Sequence, residues 1–109
     1  MSKQINVLLV DDCPDLRALV RLHLAMHAPE MMLTDYGPET RGLPDDGFCW
    51  QRYDLLLLDY QLGEGQDGLS WLAELRKRES FPPTVLVTGQ GDEYVAARAL
   101  KLGAEDYIR

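Results

Sequence analysis

Four consecutive leucines, at positions 55–58, stand between two aspartates, Asp54 and Asp59. This run constrains the fold more than any other stretch of the chain. It is too short for an ordinary helix, although leucine favours helices. Successive side chains of a strand point to opposite faces, so the run predicts a strand covered on both sides. Strands of that kind lie in the middle of parallel sheets flanked by helices.

The remaining chain fits such a sheet. Residues 5–10 form a short apolar, partly β-branched run that Asp11 and Asp12 stop. Residues 31–36 and 84–88 read as further strands, and 104–108 begin a fifth. Pro14 suits the first turn of a helix, where its missing N–H costs nothing, and Asp12 and Asp15 suit the positive helix end. Leu16, Leu19, Val20, His23 and Leu24 follow at three- and four-residue spacing, and that helix should end near Ala28 and Pro29. Pro38, Gly42, Pro44 and Gly47 punctuate residues 37–52, which predict no more than a short or broken second helix. Leu69, Leu72 and Leu75 mark a third helix that closes on Arg76-Lys77-Arg78. A fourth, alanine-rich helix spans 94–102, with Asp92 as its N-cap and Gly103 just past its end. This alternation predicts the α/β class, with a doubly wound five-stranded parallel sheet.

A chain of 109 residues has room for one core. With 46% hydrophobic and 27% charged residues it is neither disordered nor a disulfide scaffold. No apolar run approaches the roughly 20 residues that span a bilayer, and residues 1–4 lead into no signal peptide. The expectation is a cytoplasmic protein with no membrane association. Eighteen acidic against eleven basic residues give a net charge of −7, which argues against direct nucleic-acid binding and suits a metal cation or a basic partner. The spacing of Cys13 and Cys49 fits no zinc motif.

Three carboxylates fall at predicted strand ends: Asp11 and Asp12 after the first strand, Asp59 after the third. In a doubly wound sheet, ligands bind beyond the carboxyl ends of the strands where the strand order reverses. If the first and third strands are neighbours, the three acids share one crevice. Two like charges ~4 Å apart repel by roughly 4 kcal/mol at an effective dielectric near 20. Such a cluster calls for a cation or for a proton on one member. Oxygen-only ligands favour a hard ion, and Mg²⁺ is the common choice beside phosphate. Taken singly, each aspartate reads more simply as a helix cap or strand terminator; the three together favour a metal site. Thr88, at the end of the fourth strand before Gly89, could donate to a phosphoryl oxygen. Tyr107, in the fifth strand, reads by itself as a half-buried aromatic.

The segments Val7-Leu8-Leu9-Val10-Asp11-Asp12, Leu55-Leu56-Leu57-Leu58-Asp59 with Asp67-Gly68, Val85-Leu86-Val87-Thr88-Gly89 and Gly103-Ala104-Glu105-Asp106-Tyr107 occur in an order and spacing that resemble the receiver domains of two-component response regulators. The likeness covers nearly the whole chain apart from residues 37–52. It implies a flavodoxin-like strand order 2-1-3-4-5. It implies that Asp59 is the phosphoacceptor, taking a phosphoryl group from a phosphohistidine of a sensor histidine kinase or phosphotransfer protein. Asp11, Asp12, Asp59 and the backbone carbonyl of Gln61 would hold Mg²⁺. Thr88 would contact the phosphoryl group, and Tyr107 would turn inward with it, altering the surface near the fourth helix and fifth strand. Such a domain is a switch, not an enzyme beyond catalysing its own phosphorylation and dephosphorylation.

The chain departs from the family pattern in three places. The family lysine three positions after Tyr107 falls beyond Arg109, the last residue given. The family's last helix is missing, so the expectation is one receiver domain over 1–109, truncated at its C-terminal end. That would expose apolar side chains of the first helix, Leu22 and Met26 among them, and favour a homodimer; an output domain beyond residue 109 stays open. Gly63 also stands where a proline is usual.

Competing readings are a phosphorylation-independent docking or dimerisation module, which the complete set Asp11, Asp12, Asp59 and Thr88 disfavours, and a haloacid-dehalogenase-like hydrolase, which wants an acid where Gln61 stands. No glycine-rich nucleotide motif follows the first strand. His23 and His27 have metal-compatible spacing without an accompanying acidic motif. Trp71 and Tyr94 suit either helix-edge packing or a partner surface. The acidic neighbours of Cys13 argue against a reactive thiolate.

Overall fold

The computed structural model describes residues 4–38, 48–62, 67–77, 82–87 and 93–108. Five parallel strands form one sheet in the order β2-β1-β3-β4-β5. They are β1 Ile5–Val10, β2 Met31–Tyr36, β3 Leu55–Asp59, β4 Thr84–Val87 and β5 Asp106–Ile108. The helices described are α1 Pro14–His27, α2 Gly68–Leu75 and α3 Glu93–Lys101, with a 3-10 turn at Trp50–Arg52. Strand order and class therefore agree with the sequence reading. The order reverses at β1, because β2 lies to one side of it and β3 to the other.

The main core lies on one face of the sheet. Leu8 pairs with Leu56, Val10 with Leu58, and Leu58 with Leu86 in the strand register, so these side chains share a face. They are buried against Trp71, Leu72 and Leu75 of α2 and Val95 and Ala99 of α3. Trp71 therefore packs in the core, whereas Tyr94 is 69% exposed.

The other face corrects the expectation that all four leucines are fully covered. Leu55 and Leu57 are only partly buried, as are Val85 and Val87 beside them. Among the described residues α1 is the helix on that side, and it buries none of its own residues fully. Leu19 is 61% and Met26 69% exposed, with Leu16 and Leu22 also open to solvent. The apolar surface expected on the first helix is present, and α1 packs against β2 at one side of the sheet.

Local signals explain the helix ends. Cys13, not an aspartate, is the N-cap of α1 and makes no side-chain cap bond; Pro14 follows at the first helical position. The α3 helix closes in a Schellman motif. Ala104 N–H donates to Ala99 O at 3.0 Å and Gly103 N–H to Leu100 O at 3.2 Å, with Gly103 at φ +104°. Within the stretch that the sequence left weakest, the Phe48 and Trp50 rings lie 4.6 Å apart, tilted by 55°, and Phe48 lies edge-on to Tyr36. Aromatic contacts hold Phe48 and Trp50 against the end of β2.

Candidate acidic metal and phosphoryl site

The site follows from register. Val10 of β1 stands opposite Leu58 of β3, so the next residues, Asp11 and Asp59, leave the sheet side by side. Asp12 is the neighbour of Asp11. One carboxylate oxygen from each of the three lies within 4.8 Å of the others. Asp11 is 3% exposed; Asp12 and Asp59 are partly buried.

The backbone around the acids is fixed from several directions. Asp11 N–H donates to Tyr36 O at 3.3 Å, which ties the site to β2. Cys13 N–H donates to Asp11 Oδ1 at 2.9 Å, and the Arg17 guanidinium donates to the Asp11 carbonyl. Beyond β3, Tyr60 N–H reaches Val87 O at 2.8 Å and Gly68 N–H reaches Tyr60 O at 2.6 Å. Gln61 bridges to Asp67. Asp67 caps α2, its Oδ1 accepting from Ser70 N–H at 2.8 Å. The chain thus turns back immediately after Asp59.

This crowding has an electrostatic cost. Burial pushes the Asp59 carboxyl up to about 7, helped by the charges of Asp11 and Asp12; N–H groups of Gln61 and Tyr60 oppose the shift. Asp11 is raised as well, chiefly by burial and then by Asp12, against the Cys13 N–H bond and the Arg17 charge. The trio holds more negative charge than its surroundings neutralise. Its all-oxygen donor set fits a hard divalent cation. The residues that would hold Mg²⁺ are Asp11, Asp12 and Asp59.

The structure brings these three predicted acids together, and among the described residues they are the one such group of three or more metal-ligating side chains. It also shows that Asp11 and Asp12 do not serve as helix caps. Thr88, Gly63, Asp92 and Arg109 lie outside the described residues. So does the side chain of Tyr107, whose backbone pairs with Leu86. The His23 and His27 rings lie 4.5 Å apart on exposed helix surface, with no third ligand among the described residues. Two contributors went unread in the sequence. Arg17 has no motif to announce it. Gly68 was visible beside Asp67, but its reason, close approach to Asp59, is tertiary.

Comparison with known proteins agrees with this geometry. Residues 7–109 match the response regulator receiver domain family. The chain is 36% identical over 109 residues to the cyclic di-GMP phosphodiesterase response regulator RpfG of Xanthomonas campestris, covering 95% of this chain and 27% of that protein. It is 33% identical over 103 residues to the transcriptional regulatory protein CpxR of Klebsiella pneumoniae, covering 94% of this chain and 41% of that one. The chain therefore spans well under half the length of these relatives. Among solved structures, the BeF3-activated receiver domain of Klebsiella pneumoniae RstA superposes with a TM-score of 0.74 at 28% identity, covering 94% of this chain and 83% of that chain.

Proposed function

The chain belongs to the response regulator receiver family, and from that premise we propose that Asp59 accepts a phosphoryl group from a phosphohistidine donor in a Mg²⁺-dependent step. The observation that carries this reading is the meeting of Asp11, Asp12 and Asp59 within 4.8 Å at the ends of two adjacent strands. A carboxylate oxygen of Asp59 forms a bond to phosphorus as the phosphorus–nitrogen bond of the donor breaks, and the departing imidazole keeps the electron pair. Held by Asp11, Asp12 and Asp59, Mg²⁺ would supply positive charge against the crowded carboxylates and the transferring group. Asp11 and Asp12 supply ligand oxygens, and the N–H groups after β3 hold Asp59 in place.

The readout is a shift between two packings, biased by contacts to the new acyl phosphate. The resemblance assigns Thr88 to the phosphoryl contact and Tyr107 to the switch, with the surface of α3 and β5 facing a partner or output domain. The domain turns over no external substrate. Its donor is a sensor histidine kinase or a phosphotransfer protein.

Acetyl phosphate with Mg²⁺ tests the proposal. Intact-mass measurement should show a gain of one phosphoryl group, lost in Asp59→Asn. No gain in a version extended past Arg109 would sink it.

A further inference from the structure

Arg17 differs from the other charged residues of α1. Its side chain is 13% exposed, against 50% for Arg21 one turn on. Its Nη1 donates to the main-chain carbonyl of Asp11, and its Nε lies 3.4 Å from Asp35 Oδ2. Asp35 is in turn held by Arg21, Nη2 to Oδ1 at 2.5 Å. Asp35 sits on β2 opposite Leu9, next to Tyr36, whose carbonyl accepts the Asp11 N–H. The guanidinium therefore ties the end of β2 to the turn that leaves β1. With the Cys13 N–H on its carboxylate, Asp11 is fixed at its N–H, its carbonyl and its side chain.

We infer that Arg17 is a positioning residue for the acidic pocket: anchored on Asp35, its guanidinium holds the Asp11 carbonyl and so orients Asp11 and Asp12 toward a divalent cation. This rests on the metal-dependent reading above. A planar fork can bridge two oxygens in fixed directions, whereas a lysine ammonium is a single point charge on a flexible stem. Groups behind a metal ligand that fix its orientation commonly change affinity by 10–100-fold when removed.

Charge and positioning predict opposite signs, which makes the inference testable. A cation near the pocket repels Mg²⁺, so if Arg17 acted through charge alone, Arg17→Met would bind Mg²⁺ more tightly and Arg17→Lys would match wild type. If it positions Asp11, both variants bind more weakly, by about tenfold. The experiment is calorimetric titration of the whole chain with MgCl₂ for wild type, Arg17→Lys, Arg17→Met and Asp35→Asn, with the metal-free ¹⁵N–¹H spectrum of each. The Cys13 amide should shift in both Arg17 variants before any metal is added, because it reports the Asp11 carboxylate it binds. Arg17→Lys, which keeps the charge and loses the fork, keeps the test open should Arg17→Met not fold; Asp35→Asn, which removes the anchor of the guanidinium and one negative charge, should weaken Mg²⁺ binding by a smaller factor. Unchanged or tighter binding in Arg17→Lys or Asp35→Asn, with wild type binding normally, overturns the inference alone. No Mg²⁺ binding by wild type overturns the inference and the metal step together. Weakened binding in the variants upholds the inference even where the phosphoryl-uptake test above fails, and that failure removes the phosphoacceptor reading alone.

Discussion

Gly68 approaches Asp59 so closely that a Cβ on it would lie 2.5 Å from the Asp59 carbonyl oxygen and 2.9 Å from Leu86 Cδ1. The first helical residue of α2 is thus pressed against the strand that carries the proposed phosphoacceptor. A backbone oxygen cannot swing away as the end of a flexible side chain could. Gly68→Ala should therefore destabilise the chain by about 1–3 kcal/mol, despite alanine's better helix propensity. Urea unfolding measures this. Wild-type stability in Gly68→Ala would show that α2 has freedom to move off β3.

The raised carboxyl of Asp59 sets the sign of a pH dependence. The folded chain holds a proton there that the unfolded chain gives up at lower pH, so this group's contribution to stability is present below the unfolded value of 3.8 and is lost as pH rises to about 7. Asp11, also raised, contributes in the same direction. Without divalent ions, wild type should therefore lose stability across this window relative to Asp59→Asn. Paired urea titrations in EDTA check it; parallel curves would mean that the Asp59 carboxyl is not coupled to folding.

Saturating Mg²⁺ should reverse that loss. A ligand that binds the folded chain alone stabilises by about 2.7 kcal/mol at a hundred times its dissociation constant. The gain should be largest near neutral pH, where the ion competes with fewer protons, and should be reduced in Asp59→Asn and Asp12→Asn. Melting curves with MgCl₂ and with EDTA measure it, and equal curves for wild type would remove the cation from the site.

Leucines of this chain should divide sharply by location. Leu56 is fully buried between β1, β4 and the helices of the core face, so Leu56→Ala should cost about 2–5 kcal/mol. Leu22 is 58% exposed on α1, and Leu22→Gln, with similar helix propensity, should change stability by under about 0.5 kcal/mol. A large loss at Leu22 would show that α1 is covered in solution.

Much of this was legible before any coordinates. Asp11 and Asp12 stop one apolar run and Asp59 stops another, and a strand that ends on an acid places that acid at the sheet's edge. Gly103 marked the end of α3 because a left-handed residue there closes the helix cheaply. These are short-range effects, carried by residues within a turn or a strand of one another. The leucines at 55–58 show where such reasoning stops. Their pattern calls for cover on both sides, but cover is supplied by other segments, and one face of β3 stays partly open.

By itself, the order of residues determined which segments become strands and helices and which carboxylates stand at strand ends, because period, propensity and capping are local. Tertiary structure decided that Val10 lies against Leu58, which sets Asp11 beside Asp59, that Gly68 must have no side chain, and that Arg17 reaches from α1 to both Asp11 and Asp35. The physical reason is that a carboxyl's affinity for a proton or a cation depends on the charges and burial around it, and those neighbours arrive from β2, β3 and α1 only when the chain has folded.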